Sequence, residues 1–74
     1  MDALHRGFIQ RVRGRMKSKR LSVNKLADFS GLGRGTMSDI LSGKQSPSLR
    51  TIGKIADALE VAPAELLTES TAEK

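Results

Sequence analysis

The sequence contains no cysteine, tryptophan or tyrosine, and phenylalanine occurs only twice, at Phe8 and Phe29. Without cysteine no disulfide can stabilise the fold, and the composition is compatible with a reducing cytoplasm. The scarcity of aromatic residues leaves the core to Leu, Ile, Val, Met and Ala, which favours packed helices over a sheet. A domain this small buries only about 60% of its unfolded surface. We therefore expect one marginally stable domain over residues 1–74, with its core within about 3–67.

Long apolar runs are absent as well. No segment approaches the roughly 18 apolar residues that a membrane-spanning helix requires. The N-terminus also lacks an apolar stretch followed by a small-residue cleavage site, which a secretory signal would show. The sequence therefore predicts a soluble, cytoplasmic protein.

Residues typical of catalytic and metal sites are scarce. The single histidine, His5, stands near a chain end, where a solvated position is the simplest interpretation. Asp57, Glu60 and Glu65 have no His or Cys beside them, so they are interpreted as surface charges. The sequence predicts no enzyme, no metal or other cofactor and no small-molecule ligand.

The net charge of +5 is distributed unevenly. Residues 1–20 hold seven cations and one acid (+6), residues 21–54 hold five and two (+3), and residues 55–74 hold one and five (−4). One end is therefore suited to a polyanion and the other is not. Charge alone still favours the simpler interpretation of a solvated basic helix, so the function must be argued from motifs.

Hydrophobic spacing and capping residues predict five short helices, at about residues 3–19, 23–29, 33 or 34 to 41, 49–59 and 63–67, and a frayed tail at 68–74. Ser22 and Ser48 are suitable N-caps, Gly31 suits a left-handed helix end, and Pro63 suits a first helical position. We expect Phe29 to pack against the first helix. The residues predicted to face inward are Leu4, Phe8, Ile9, Val12, Met16, Leu26, Ala27, Met37, Ile40, Leu41, Leu49, Ile52, Ile55, Ala56 and Leu59.

The second and third predicted helices form the informative pair. They are joined by the short break Ser30-Gly31-Leu32. A corner of this kind is typical of a helix-turn-helix, which holds its second helix outward so that it can enter a major groove about 12 Å wide. An ordinary helical hairpin could share the spacing.

The segment from residue 21 to residue 67 carries a series of features at characteristic spacing. They are Leu21-Ser22, Leu26-Ala27, Gly31, Met37, Ile40, Ser42-Gly43-Lys44 before Pro47, and the closing pattern Leu49, Ile52, Ile55-Ala56 and Leu59. In these features the segment resembles the lambda-repressor-like (Cro-type) helix-turn-helix family, and with the basic first helix included the resemblance covers roughly residues 8–67. It implies an all-α bundle of five helices that binds double-stranded DNA in a sequence-specific way, as a transcriptional regulator acting as a repressor, and as a homodimer on a palindromic operator.

The resemblance also implies roles for individual residues. Arg34 is suited to bidentate bonding with guanine, with a phosphate contact or a solvated position as the alternatives. Asp39 either accepts a hydrogen bond from cytosine or repels phosphates at wrong sites. Thr36 and Ser38 offer hydroxyl groups to phosphate or base. The residues implied to read bases are Arg34, Gly35, Ser38 and Asp39, and those implied to contact the DNA backbone are Asn24, Thr36, Ser42, Gly43 and Lys44, with free N–H groups expected near Ser42 and Gly43.

Two positions depart from the family pattern. Val23 stands where many relatives have a Gln that braces the first recognition residue, which puts the bracing of Arg34 in doubt unless Asn24 replaces it. Gly33 replaces the usual Ser or Thr cap of the recognition helix.

Other functions remain open at this point. The main alternative is an antitoxin-like protein-interaction module that also binds its own operator, which a co-purifying partner would reveal. A basic first helix lying on a membrane surface is less favoured, because its apolar face is needed to close the bundle. Val61, Ala62, Leu66 and Leu67 could supply an apolar dimer contact, unless the two leucines complete the monomer core.

Overall fold

The predicted all-α architecture is confirmed. The computed structural model describes residues 2–67, and no strand occurs in that range. Its helices are α1 (Ala3–Lys19), α2 (Val23–Ser30), α3 (Arg34–Ser42), α4 (Leu49–Leu59) and α5 (Pro63–Leu67). α2 and α3 each end one residue later than predicted, and the other boundaries agree. The predicted tail at 68–74 lies outside the described residues.

Side-chain caps begin three of the helices. Each cap accepts a hydrogen bond from one of the N–H groups that a helix leaves unsatisfied in its first turn. α3 begins at Arg34 and is preceded instead by Gly33, which makes no side-chain cap bond, as its lack of a side chain predicts. The caps are Asp2, Ser22 and Ser48, which accept from the backbone N–H groups of His5, Lys25 and Thr51 at 2.8, 3.1 and 3.1 Å.

Left-handed residues end the first four helices. Gly31 (φ 73°) confirms the predicted end of α2, and Gly43 (φ 88°) ends α3. Arg20 (φ 58°) and Glu60 (φ 62°) do the same for α1 and α4. Non-glycine residues seldom adopt this conformation, so the sequence predicted where these two helices end but not the left-handed residue that follows each.

One apolar core joins the five helices. α2 packs against α3 and α4, while α1 packs against α4 and α5, and α5 also contacts α4. Leu66 is buried, so it completes the monomer core and is not available for a dimer contact. The buried apolar side chains are Phe8, Ile9, Val12, Met16, Leu26, Ala27, Met37, Ile40, Leu41, Ile52, Ile55, Ala56, Leu59 and Leu66.

The inward face of α1 differs from the prediction at its first turn. Leu4 was expected to be buried and His5 to be solvated, but Leu4 is 45% exposed and His5 only 7%. His5 lies three residues before Phe8 and seven before Val12, a spacing that keeps it on the buried stripe of a helix, and Leu4 falls to one side. The prediction for Leu4 was wrong because the four-residue repeat was continued one turn too far, and that for His5 because a place near the chain end was interpreted as solvated.

Two further apolar residues predicted to be buried lie at the surface. Leu49 is 82% exposed, because it is the first residue of α4 and no neighbouring element covers that helix end. Phe29 is 61% exposed, since the buried face of α2 consists of Leu26, Ala27 and Ser30. The predicted packing of Phe29 against α1 is therefore wrong.

Candidate nucleic-acid interface

The corner between α2 and α3 is held by backbone hydrogen bonds. The N–H of Gly31 donates to the carbonyl oxygen of Asp28 at 3.2 Å, and the N–H of Leu32 donates to that of Ala27 at 3.0 Å. Leu32 packs against the core, and Gly33 is extended (φ −66°, ψ 148°) and leads directly into α3. The short turn leaves little freedom in how α3 follows α2.

α3 has one buried side and one exposed side. Met37, Ile40 and Leu41 are buried in the core, as predicted. Of the residues implied to read bases, Arg34, Gly35 and Ser38 are exposed and Asp39 is half-buried. The fold therefore brings Arg34, Gly35 and Ser38 to the accessible side of α3, with Asp39 at its margin.

Arg34 forms an ion pair with Asp28. Its Nε donates to Oδ1 of Asp28 at 3.4 Å and its Nη2 donates to Oδ2 at 3.1 Å. The carboxylate raises the pKa of Arg34 above its ordinary value, first by accepting these hydrogen bonds and second by charge attraction. Sequence reasoning missed this partner, because it sought the brace at the start of α2. A single acid six residues before Arg34, across a tight turn, was the available signal.

The residues implied to contact the DNA backbone lie around the two ends of α3 and the start of α2. Asn24 is exposed in the first turn of α2, and Thr36 is half-buried in the first turn of α3. Lys44 is exposed directly after α3, where its side chain can reach solvent. Thr36 and Lys44 therefore lie at the two ends of α3 itself, and Asn24 lies on the helix before it.

The expected free N–H groups at the end of α3 are not all free. The N–H of Gly43 donates to the carbonyl oxygen of Ile40 at 3.2 Å, and that of Lys44 donates to Asp39 at 2.9 Å. The Ser42 hydroxyl also donates to the carbonyl oxygen of Asp39, at 3.1 Å. The prediction of a free N–H at Gly43 is therefore wrong, because the left-handed helix end uses it.

Two side chains of α1 hold the C-terminal end of α3. Nε2 of His5 lies 3.2 Å from the carbonyl oxygen of Ile40 and carries the proton of this hydrogen bond, since a carbonyl can only accept. Nη2 of Arg13 donates to the carbonyl oxygen of Leu41 at 3.2 Å. Both carbonyls are among the last four of α3, which have no partner within the helix. α1 thus fixes the position of α3 by polar contacts as well as by packing.

The basic and acidic ends of the sequence meet in the fold. Nη2 of Arg15 lies 2.8 Å from Oε1 of Glu65, and Nζ of Lys19 lies 3.0 Å from Oε1 of Glu60. Two of the seven cations of residues 1–20 are therefore paired with acids of the acidic end, although all four side chains remain partly exposed. That the basic end meets a polyanion stays a prediction.

Within residues 2–67, no three His, Asp or Glu side chains are grouped so that they could hold a metal ion. No helix in the same range is both long enough and apolar enough to cross a bilayer.

The fold and its exposed third helix define a helix-turn-helix protein. The model of the Cro/C1-type helix-turn-helix DNA-binding domain matches residues 11–70. The chain belongs to this family, and the resemblance read from the sequence is confirmed.

Known proteins similar to this chain are regulators. An uncharacterized HTH-type transcriptional regulator of Bacillus subtilis (strain 168), RghRB, is 40% identical over 55 residues. The match covers 73% of this chain and 40% of that protein, so the chain spans less than half the length of this relative.

Solved structures agree with this assignment. The restriction-modification controller protein C.AhdI of Aeromonas hydrophila is 40% identical, with a TM-score of 0.76, and the match covers 81% of this chain and 91% of that one. SinR, a master regulator for biofilm formation solved in complex with DNA, is 29% identical with a TM-score of 0.76. That match covers 82% of this chain and 98% of SinR.

Proposed function

We propose that this protein binds specific sites in double-stranded DNA through α3 and regulates transcription as a repressor. The observation that carries the proposal is that α3 is fixed on its inner side while Arg34, Gly35 and Ser38 are exposed on the outer side. The structure of SinR in complex with DNA supports DNA as the partner of this chain too. A repressor of this kind acts by occupying its operator, so neither a cofactor nor a catalytic group is required.

In the proposed complex, the N-terminal half of α3 faces base edges in the major groove. Arg34 bonds guanine, Ser38 and Asp39 lie one turn further along the groove, and Gly35 allows close approach of the backbone. Asn24, Thr36, Ser42 and Lys44 contact the sugar-phosphate backbone through their side chains and set the register of the protein on the duplex.

Duplex binding should depend strongly on salt. Each phosphate neutralised lowers the slope of log affinity against log salt by about 0.9, so several contacts per protomer give a slope on the order of −4. Fluorescence anisotropy with a labelled duplex, selected from a random pool for binding, measures the slope over a salt series. A slope near zero would contradict the proposed nucleic-acid function.

We further propose that the protein acts as a homodimer on a palindromic operator. Two-fold pairs of helix-turn-helix domains read half-sites about 34 Å apart, which is one turn of the duplex. Leu66 is buried in the monomer, so the proposed contact is confined to exposed Ala62 and half-buried Val61 and Leu67.

Sedimentation tests the dimer. The wild-type protein should sediment as a dimer, either free or on a palindromic duplex, and Ala62→Glu should shift it to a monomer by placing a charge in an apolar contact. Gln10→Glu, which makes the same charge change on exposed α1, is the matched control and should remain dimeric. A wild-type protein that stays monomeric in both conditions would refute the pairing.

A further inference from the structure

We propose that Asp28 determines specificity by positioning Arg34 for a guanine. This inference rests on the proposed function, in which Arg34 reads a base. Asp28 itself need not touch DNA: its carboxylate holds the guanidinium group in one orientation before DNA arrives. Many relatives have a Gln at the position of Val23 that braces the first recognition residue. In this chain Asp28, in the last turn of α2, would brace Arg34 instead.

The geometry of the ion pair leaves the required donors available. The two hydrogen bonds to Asp28 use Nε and Nη2, which form one edge of the planar guanidinium group. The edge formed by Nη1 and the second N–H of Nη2 is not used by this contact. Recognition of O6 and N7 of guanine needs two parallel N–H donors, and this second edge supplies them.

The backbones on both sides of the pair are fixed. Asp28 lies in the last turn of α2, where its carbonyl oxygen accepts from Gly31 at 3.2 Å. Arg34 is the first residue of α3, and Gly33 before it offers no side chain that could compete for the guanidinium group. Since the turn between them is short and hydrogen-bonded, the carboxylate stands at a defined place relative to the start of α3.

The physical benefit of such a pair lies in binding rather than in folding. Both side chains are about half exposed, at 60% for Arg34 and 49% for Asp28, and an exposed ion pair contributes little to stability. An arginine that is already oriented, however, loses less rotamer freedom when it meets a base. Asp28 would also hold the guanidinium group away from nearby phosphates, which are the nonspecific alternative for Arg34.

The competing interpretation predicts the opposite sign. If the ion pair must break before Arg34 can reach DNA, or if Asp28 merely repels phosphates, removal of the carboxylate should strengthen binding to every duplex. Asp57 lies exposed on α4, so Asp57→Ala provides the same change in net charge away from Arg34. The two aspartate variants therefore separate an effect on orientation from an effect on charge.

The test uses the full chain and the preferred duplex selected from random DNA. Affinity is measured at one salt concentration for this duplex and for versions in which each G·C pair is replaced in turn. The proteins compared are wild type, Asp28→Ala, Asp28→Asn, Arg34→Ala, the double variant Asp28→Ala with Arg34→Ala, and Asp57→Ala. We expect Asp28→Ala to weaken the preferred duplex by about two- to tenfold and to reduce guanine preference at the pair that Arg34→Ala affects. Asp28→Asn, which keeps one acceptor oxygen, should lose less.

The double variant decides whether Asp28 acts through Arg34. In the Arg34→Ala background, Asp28→Ala should cause no further loss. A gain in affinity for all duplexes, or an equal loss without Arg34, would overturn the proposal. Failure of the proposed function would look different, because the wild-type protein would then select no preferred sequence at all. Far-UV circular dichroism confirms folding of each variant, and Asp28→Asn provides the test if Asp28→Ala does not fold.

Discussion

Phe8→Ala is expected to leave most of the protein unfolded at 25 °C. Phe8 is 1% exposed and belongs to the core that joins α1 to the other helices. Truncation of a buried phenylalanine costs about 3–5 kcal/mol. The core of a domain this small rarely supplies more than about 3–5 kcal/mol in total. Urea or thermal denaturation followed by far-UV circular dichroism measures the loss.

The second phenylalanine provides the matched control. Phe29 is 61% exposed, so Phe29→Ala should change the free energy of unfolding by no more than about 0.5 kcal/mol. Similar melting temperatures for Phe8→Ala and wild type would show that Phe8 is not part of the core described here. A large loss for Phe29→Ala would show that its surface is covered, for example by a second copy of the chain.

Arg34→Ala is expected to remove base recognition at one position per half-site. Loss of a bidentate contact with guanine should cost about 1–3 kcal/mol on the preferred duplex and relax the preference at that base pair. Binding is measured on the preferred duplex and on duplexes substituted at single positions. Helical circular dichroism should be unchanged, because the side chain is 60% exposed.

Lys44→Ala is the informative comparison for this variant. Lys44 follows α3 in a loop, where we expect it to contact phosphate, so its loss should weaken all sequences alike and reduce the salt slope by about one unit. If folded Arg34→Ala protein keeps its base preference, Arg34 contacts phosphate only. Base reading would then rest with Ser38, Asp39 and the shape of the DNA.

Local signals in the sequence were enough to predict the five helices. α4 and α5 begin at the predicted residues because Ser48 and Pro63 determine helix starts through short-range chemistry. Gly31 likewise has the left-handed conformation predicted for it, directly after α2. Signals of this kind depend on a few adjacent residues, so they can be interpreted without the fold.

Errors arose where burial depends on what lies opposite a residue. Leu4 and Leu49 continue the apolar spacing of their helices, yet each lies on a side of its helix's first turn that remains exposed. His5 looked solvated because its partner, the carbonyl oxygen of Ile40, is 35 residues away. Hydrophobic periodicity identifies one side of a helix but not how far its neighbours extend along it.

The candidate site was predicted as a region but not as a set of contacts. The exposed side of α3 followed from the buried positions Met37 and Ile40, which the spacing indicated. The acid six residues before Arg34 marked Asp28 as a candidate partner, but whether the two meet depends on how α3 is rotated relative to α2. The meeting of Arg15 with Glu65, 50 residues apart, likewise follows from the packing of α1 on α5.

The glycine in the first turn of α3 bears on how this protein could acquire a new target sequence. Apart from its two chain neighbours and the backbone of its own helix, a Cβ atom at Gly35 would meet no atom within 4 Å, and its backbone angles are not of the kind that only glycine tolerates. A larger residue there would also favour the helix, since glycine costs about 1 kcal/mol relative to alanine. Under the proposed function, position 35 faces the bases while carrying no side chain. A single codon change could therefore add a new base contact without a compensating change in the core, so divergence of the target site need not pass through an unstable intermediate.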